Sequence, residues 1–280
     1  MGGSSGQYQT RLPPSRILGG MDTTIPSGSS KGAQVGRERC PTGIEALDNI
    51  LEGGIPRGNT VLVAGSVGTG KTTLTLEFLI HGAERGERSL FFSATESTPK
   101  LVENMRSFEF FRPELVTSGY LMLVDVPVLY RKLGLTHDEM RADEIDIFLK
   151  TVDAFLTESR AQRVVIDSLT SVAYRIQREE RVRDFMLRLS EILAAHDCTS
   201  LLVSEIGPQP ARYSLRGVEE AIVDGLLLLG NARRHGDILR VLQVIKMRGT
   251  AHSRAQYVVE MTPIGLLLAP HLKGGISEEG

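Results

Sequence analysis

The sequence predicts an α/β fold: a mostly parallel sheet flanked by helices and extended by antiparallel strands toward the C-terminus. Three observations carry that reading. Short apolar, β-branched runs alternate with segments whose apolar residues recur at helical spacing, as in a buried parallel sheet with crossover helices. One strand-to-helix junction is glycine-rich, Gly65-Ser66-Val67-Gly68-Thr69-Gly70-Lys71-Thr72, and fits the phosphate-loop pattern G-x-x-x-x-G-K-[ST]. After residue 205 the pattern changes to apolar runs joined by short polar links, and short links imply antiparallel pairs.

Residues 1–38 are rich in Gly, Ser and Pro, carry scattered arginines and lack periodicity, so they read as a disordered N-terminal arm. The domain is expected over 39–272. Ile44, Leu47, Ile50 and Leu51 recur at helical spacing and predict a short amphipathic helix over 44–51. Glu52 to Gly58 is a turn that feeds a buried strand at Thr60 to Ala64. Past the glycine loop, residues 73–80 read as a buried helix. Ser89 to Ala94 is a second strand, ended by Thr95-Glu96-Ser97-Thr98-Pro99, a polar helix-start signal, with Leu101, Val102, Met105 and Phe108 on the helix after it. Tyr120 to Val126 is a third strand, and 128–141 read as a loop with short helical pieces. A long helix carries Ile145, Phe148, Leu149, Val152, Phe155 and Leu156 at i, i+3, i+4, i+7. Val164 to Ser168 is a fourth strand, Val182 to Leu193 another helix, and Ser200 to Ser204 a fifth strand. Residues 207–216 are a polar loop. Strands are then expected at Ala221–Leu229, Ile238–Lys246, Gln256–Thr262 and Leu266–Ala269, with a flexible tail over 273–280.

Composition bounds the function. Hydrophobic residues make up 41% of 280, enough for a proper core, and 32 Lys+Arg against 34 Asp+Glu leave a net charge of -2. That balance argues against a surface given over to nucleic acid, though it permits a local basic patch. No apolar run reaches membrane-spanning length and no apolar signal segment follows the start, so no membrane contact and a cytoplasmic setting are expected. Cys40 and Cys198 form no metal-ligand pattern and read as packing residues in a reduced compartment.

The chemistry centres on the glycine loop. Glycines let the backbone wrap around phosphate oxygens, and the helix start offers unpaired N–H groups and a positive dipole end. Gly65, Ser66, Val67, Gly68, Thr69, Gly70, Lys71, Thr72 and Thr73 are therefore the candidate ATP-binding residues, with Lys71 against the β/γ-phosphates and the Thr72 hydroxyl on Mg²⁺. Asp167 ends an apolar strand; it would hold Mg²⁺ opposite Thr72, although Asp also caps helices well. Glu96 lies beyond the carboxyl end of the second strand, where open parallel sheets bind ligands. It would polarise the attacking water or, equally on spacing, stand at a helix start whose dipole favours it. Lys246 and Arg248 flank Met247 on one side of a strand end; without further context they read as a solvated, charged edge.

Beyond these motifs the chain resembles the KaiC family of the RecA/RadA superfamily. The similarity runs through Pro41-Thr42-Gly43-Ile44-Glu45-Ala46-Leu47-Asp48, Gly53-Gly54-Ile55-Pro56-Arg57-Gly58 and the phosphate loop. It resumes at Glu103 to Phe108, Ile166 to Val172, Ala211-Arg212-Tyr213 and Gly217-Val218-Glu219-Glu220. It is most specific at Lys246-Met247-Arg248-Gly249-Thr250-Ala251-His252. The resemblance implies a RecA-like P-loop ATPase core in a homo-oligomeric ring, usually hexameric, with ATP between neighbours and a regulatory protein as possible partner. It assigns Lys71, Thr72 and Asp167 as above, favours Glu96 as the catalytic carboxylate, and makes Lys246 and Arg248 candidates for reaching the adjacent subunit's ATP. The chain departs from the pattern in three places. It has one such domain where the clock protein of the family has two. Thr95-Glu96 stands where the family has paired glutamates. Arg178-Glu179-Glu180-Arg181 stands in place of an adjacent Ser/Thr phosphoacceptor pair, as in a hydrolysing rather than a self-phosphorylating domain.

The implied function is slow, regulatory ATP hydrolysis that switches a ring between partner-binding states. Two other readings remain. In a RadA-type recombinase paralogue, Arg175, Arg178, Arg181 and Arg183 or the 207–216 loop would hold single-stranded DNA; Glu179 and Glu180 interrupt that arginine run. A nucleotide-sensing scaffold would bind ATP and scarcely turn it over.

Overall fold

The structure, a computed structural model, describes residues 37–135, 137–207, 213–214 and 217–271. The expected arm (except residues 37 and 38), the tail and most of the polar loop over 207–216 lie outside the described residues. A short pairing of β1 (Arg39–Cys40) with β2 (Ile55–Pro56) brackets α1 (Glu45–Ile50). Next come β3 (Thr60–Gly65), α2 (Lys71–Glu84), β4 (Ser89–Ser93), α3 (Thr98–Met105), α4 (Pro113–Thr117) and β5 (Leu121–Asp125). They are followed by α5 (Val126–Lys132), α6 (Ala142–Ser159), β6 (Arg163–Asp167), α7 (Leu169–Ile176), α8 (Glu179–Ala195) and β7 (Thr199–Glu205). The chain closes with α9 (Glu219–Ile222), β8 (Gly225–Arg234), β9 (Asp237–Met247), β10 (Gln256–Thr262) and β11 (Gly265–Pro270).

The main sheet has nine strands in the order β11-β10-β9-β8-β3-β7-β6-β4-β5. The strands from β8 to β5 run parallel, and β9, β10 and β11 add antiparallel. The predicted fold class is thus the one observed, with the parallel part reaching one strand further than the short links suggested, because β8 pairs parallel with β3. Alternation along the central strands feeds two cores. Val61, Val63, Phe91, Val165, Leu201, Val203, Leu227 and Leu229 face α1 and α2 on one side. Leu62, Leu90, Phe92, Val164, Ile166, Leu202 and Leu226 face α6, α7 and α8 on the other. Burial on two faces explains why these strands read as unbroken apolar runs.

Three expectations need correction. The strand expected over 221–229 begins only at Gly225; Glu219 and Glu220 open the helical turn of α9, and β8 continues to Arg234. Gly225 is where two strands approach closely, since a Cβ there would lie 2.7 Å from the Met247 methyl. The third strand stops at Asp125, whose side chain accepts from Val128 N at 2.8 Å and starts α5. Finally, α7 was not anticipated. Leu169, Val172, Ala173 and Ile176 bury one face of it, and the Ser168 hydroxyl accepts from Ser171 N.

Two polar contacts tie the layers. Arg163 is fully buried. It bonds the Glu87 carboxylate, donates to Pro41 O and Phe78 O at 2.8 Å each, and lies 4.6 Å above the Phe78 ring. Glu87 also pairs with Arg57. At the far end of the sheet, buried Glu77 of α2 accepts from Leu266 N of edge strand β11 at 2.9 Å. Leu266 N points away from β10, and outward positions alternate, so residues 268 and 270 share its direction. Pro270 has no N–H to offer. Both cysteines are buried and free, as packing residues should be.

Candidate functional site

The glycine loop lies where β3, the middle strand of the sheet, turns into α2 at the carboxyl edge. Its glycines are there for different reasons. A Cβ on Gly65 would sit 2.6 Å from Leu229 O and 2.8 Å from Thr69 Oγ1, so only Gly fits between β3 and β8. Gly70 caps α2 at φ 96°, a left-handed conformation. Among the described residues no side chain caps the start of α2, a 14-residue buried helix whose first N–H groups suit an anionic ligand. Within the loop, Thr69 Oγ1 and Lys71 Nζ both donate to Ser66 O, at 2.8 and 2.9 Å. Val67 at the tip is exposed and Thr73 is buried in the first turn. Burial depresses the Lys71 ammonium pKa, opposed by the charges of Glu205 and then Asp167.

Thr72 and Asp167, 95 positions apart, are brought together: Thr72 Oγ1 donates to Asp167 Oδ2 at 2.6 Å. Ser168 rather than Asp167 caps α7, so the capping role weighed for Asp167 belongs to its neighbour. Burial raises the Asp167 pKa, with the Thr72 hydrogen bond and Lys71 pulling it down. The pair suits Mg²⁺: a hydroxyl and a carboxylate are hard oxygen donors. Among the described residues no group of three or more His, Cys, Asp or Glu could hold a metal alone. Mg²⁺ is commonly held by one or two protein oxygens with phosphates and water completing the shell.

Glu96 follows β4 and its charge is felt at Asp167. Its carboxylate accepts from Asn104 Nδ2 at 2.7 Å and lies 3.5 Å from Lys100 Nζ, so α3 holds it. Two further residues belong to this edge and were not singled out in the sequence. Glu205 ends β7 directly opposite Gly65, with its N–H bonded to Thr170 Oγ1 at 2.8 Å. The available signal was its position, a carboxylate at the carboxyl end of a strand. Arg240 of β9 donates from Nε to Gly68 O at 3.0 Å, a contact across 172 positions that no local pattern announces. A cavity of about 570 Å³ opens beside Ser66, walled by Ile206, Leu229, Asn231, Arg233 and Gln256.

Lys246 and Arg248 do not join this cluster. Met247 pairs with Gly225, level with Val61 near the start of β3, whereas the phosphate loop leaves at Gly65. Four residues of strand separate the two levels, roughly 13 Å. The two cations instead border a second cavity, about 410 Å³, together with Thr250, His252 and Arg254. Of the arginines considered for DNA, Arg175 is committed elsewhere. It donates to Leu135 O and His137 O at 3.0 and 2.5 Å and lies 4.2 Å above the Tyr130 ring. Arg181 lies 3.9 Å from Glu139. Arg212 and Arg216 are outside the described residues.

Comparison with known proteins places these features in a family. The family model of the KaiC ATPase matches residues 40–273. A UPF0273 protein of Methanopyrus kandleri is 34% identical over 87% of this chain and 96% of its own length. The circadian clock oscillator protein KaiC of Synechococcus elongatus is 32% identical over 89% of this chain, which spans only 47% of that protein. In three dimensions the crystal structure of a KaiC-like protein from Pyrococcus horikoshii OT3 superposes with a TM-score of 0.72. It is 32% identical and covers 83% of this chain and 99% of its own.

Proposed function

The chain belongs to the KaiC family of ATPases, and from that premise we propose that it binds Mg·ATP at the interfaces of a homo-oligomeric ring, of six copies as in the resemblance, and hydrolyses it slowly. In this reading the loop 65–70, Lys71, Thr72 and Thr73 hold the phosphates, and Thr72 with Asp167 holds Mg²⁺, which neutralises charge developing on the transferred phosphoryl group. Glu96 turns from α3 to polarise the attacking water. Lys246 and Arg248 serve the neighbouring copy's γ-phosphate. Each turnover then changes how the ring's subunits meet, which makes it a switch read by a regulatory partner.

One observation carries the proposal. The phosphate loop and the cationic cavity lie at opposite ends of the same strands, so a single chain cannot bring Arg248 to its own phosphates. A second copy can. Complementation tests this directly. Arg248→Ala and Glu96→Gln chains are each expected to be nearly inactive. Exchanged together they should regain part of the activity, because some interfaces pair an intact Glu96 with an intact Arg248. Sedimentation with ATP, ADP and no nucleotide reads assembly alongside. Arg248→Ala rings that assemble and hydrolyse at the wild-type rate would refute the shared site.

A further inference from the structure

The segment behind Lys246 and Arg248 is built around one carboxylate. Asp224 Oδ1 accepts from Arg248 Nη1 at 3.2 Å, and Asp224 O accepts from Arg248 N at 2.9 Å. Its other oxygen, Oδ2, accepts from Thr60 N at 3.1 Å, while Asp224 N donates to Thr60 O at 2.8 Å. The residue before it completes the set: Lys246 Nζ donates to Val223 O at 2.5 Å and to Glu220 O at 3.3 Å. Thr60 is the first residue of β3, the strand that ends in the phosphate loop.

We propose that Asp224 is a positioning residue, one that locks the neighbour-facing Lys246 and Arg248 in register with the strand carrying this chain's own phosphate loop. The inference rests on the shared-site reading above and deepens it. An arginine is long and loses rotamer freedom when it is fixed, so an arginine that must reach a neighbour's phosphate benefits from being held before the neighbour arrives. Asp224 does this from a base that cannot drift. One backbone bond and one side-chain bond fasten residue 224 to Thr60, and β3 is central in the sheet. The distance between a subunit's phosphate loop and its outgoing cations is thereby fixed by strand geometry, and a rigid offset is what a closed ring of identical copies needs. The carboxylate also offsets the repulsion between the two cations. Burial and then Arg248 lower the Lys246 pKa, and Asp224 opposes them.

Asp224→Asn keeps the shape and removes the charge. In the assembled full-length protein, affinity for a fluorescent ATP analogue is expected to stay at the wild-type value, because the subunit's own phosphate loop is intact. Turnover, kcat, should fall by about tenfold. Adding Arg248→Ala to Asp224→Asn should cost less than the product of the two single effects, since the two residues act as one unit. The readout a merely structural defect would not produce is complementation. Asp224→Asn chains mixed with Lys71→Ala chains should hydrolyse faster than either alone, because the Lys71→Ala copies present properly held cations to intact phosphate loops. Should Asp224→Asn fail to fold, Asp224→Glu replaces it: the charge stays while one methylene displaces Arg248, and kcat should drop with binding unchanged. Wild-type or raised kcat in the variant that folds, or fully multiplicative effects with Arg248→Ala, would overturn the proposal. An Arg248→Ala chain with undiminished kcat would instead sink the shared site itself, so the two failures are distinguishable.

Discussion

The Thr72 hydroxyl donates to Asp167 Oδ2 across 2.6 Å, joining the first turn of α2 to the end of β6. Asp167 is buried, and burial holds its pKa above the usual carboxylate range. A group whose folded pKa is raised favours the folded state in its protonated form. Its contribution therefore declines as pH rises through the folded pKa, and at neutral pH the ionised carboxylate is a burden on the fold. Asp167→Asn should accordingly keep or raise the melting temperature, by a few degrees for about 1 kcal/mol. It should also lose the Mg²⁺ dependence of ATP binding. A clear fall in melting temperature, or a preserved Mg²⁺ effect, contradicts the assignment.

Lys71→Ala should weaken ATP binding by on the order of 100-fold, because a charge-assisted contact in a half-buried loop has no substitute. The same change removes the bond to Ser66 O, so a small drop in stability is compatible with it. Equilibrium titration with a fluorescent ATP analogue decides. Wild-type affinity would remove the phosphate-loop assignment altogether.

Glu96→Gln should bind ATP normally and lose turnover, since the amide preserves shape but removes the base. The structure adds a second arm. Asn104 now holds the Glu96 carboxylate, so Asn104→Ala frees it and should change kcat while leaving binding alone. Hydrolysis unaffected by either change would return Glu96 to a helix-start role.

Self-phosphorylation should be negligible. Intact-mass spectrometry after long incubation with Mg·ATP should show no stoichiometric gain of phosphate; a full phosphate per chain would refute the hydrolase reading.

Glu87→Gln should destabilise the fold by roughly 3–5 kcal/mol, the cost of leaving a buried guanidinium without its counter-charge. Burial pushes the Glu87 pKa up, but Arg57 and Arg163 together pull it below 4.5. A depressed carboxylate pKa stabilises the fold above the unfolded value and loses that contribution as pH falls through the folded one. The wild-type protein should therefore lose stability below about pH 4.5, and the variant should lose less in that window. Chemical denaturation at several pH values checks both.

Local chemistry made the phosphate loop legible: strand, glycines, lysine and hydroxyl are contiguous, and each is needed where it stands. Asp167 was legible because the strand before it is buried on both faces and ends abruptly. Contacts made by topology were not. Gly65 and Glu205 are neighbours only because β3 and β7 pair, and Arg240 meets Gly68 only because β9 runs back past β8. The strand expected from Ala221 failed for a physical reason as well. An apolar run shows no period that separates a helical turn from a strand, and the acidic pair before it supplied the helix start. The placement of Lys246 far from the chain's own loop follows from the direction of β9, which composition does not encode.

The Glu77–Leu266 bond at the rim of the sheet has a consequence for solubility. An exposed edge strand is a template on which a foreign strand can grow, and apolar edges such as Leu266-Leu267-Leu268 are where fibrils begin. Here one outward N–H is already spent on a buried carboxylate and another is deleted by Pro270. Of the three outward positions 266, 268 and 270, Leu268 alone still offers a backbone donor for growth along this side. Glu77→Ala, by unmasking the Leu266 donor, would turn a self-limiting surface into a sticky one.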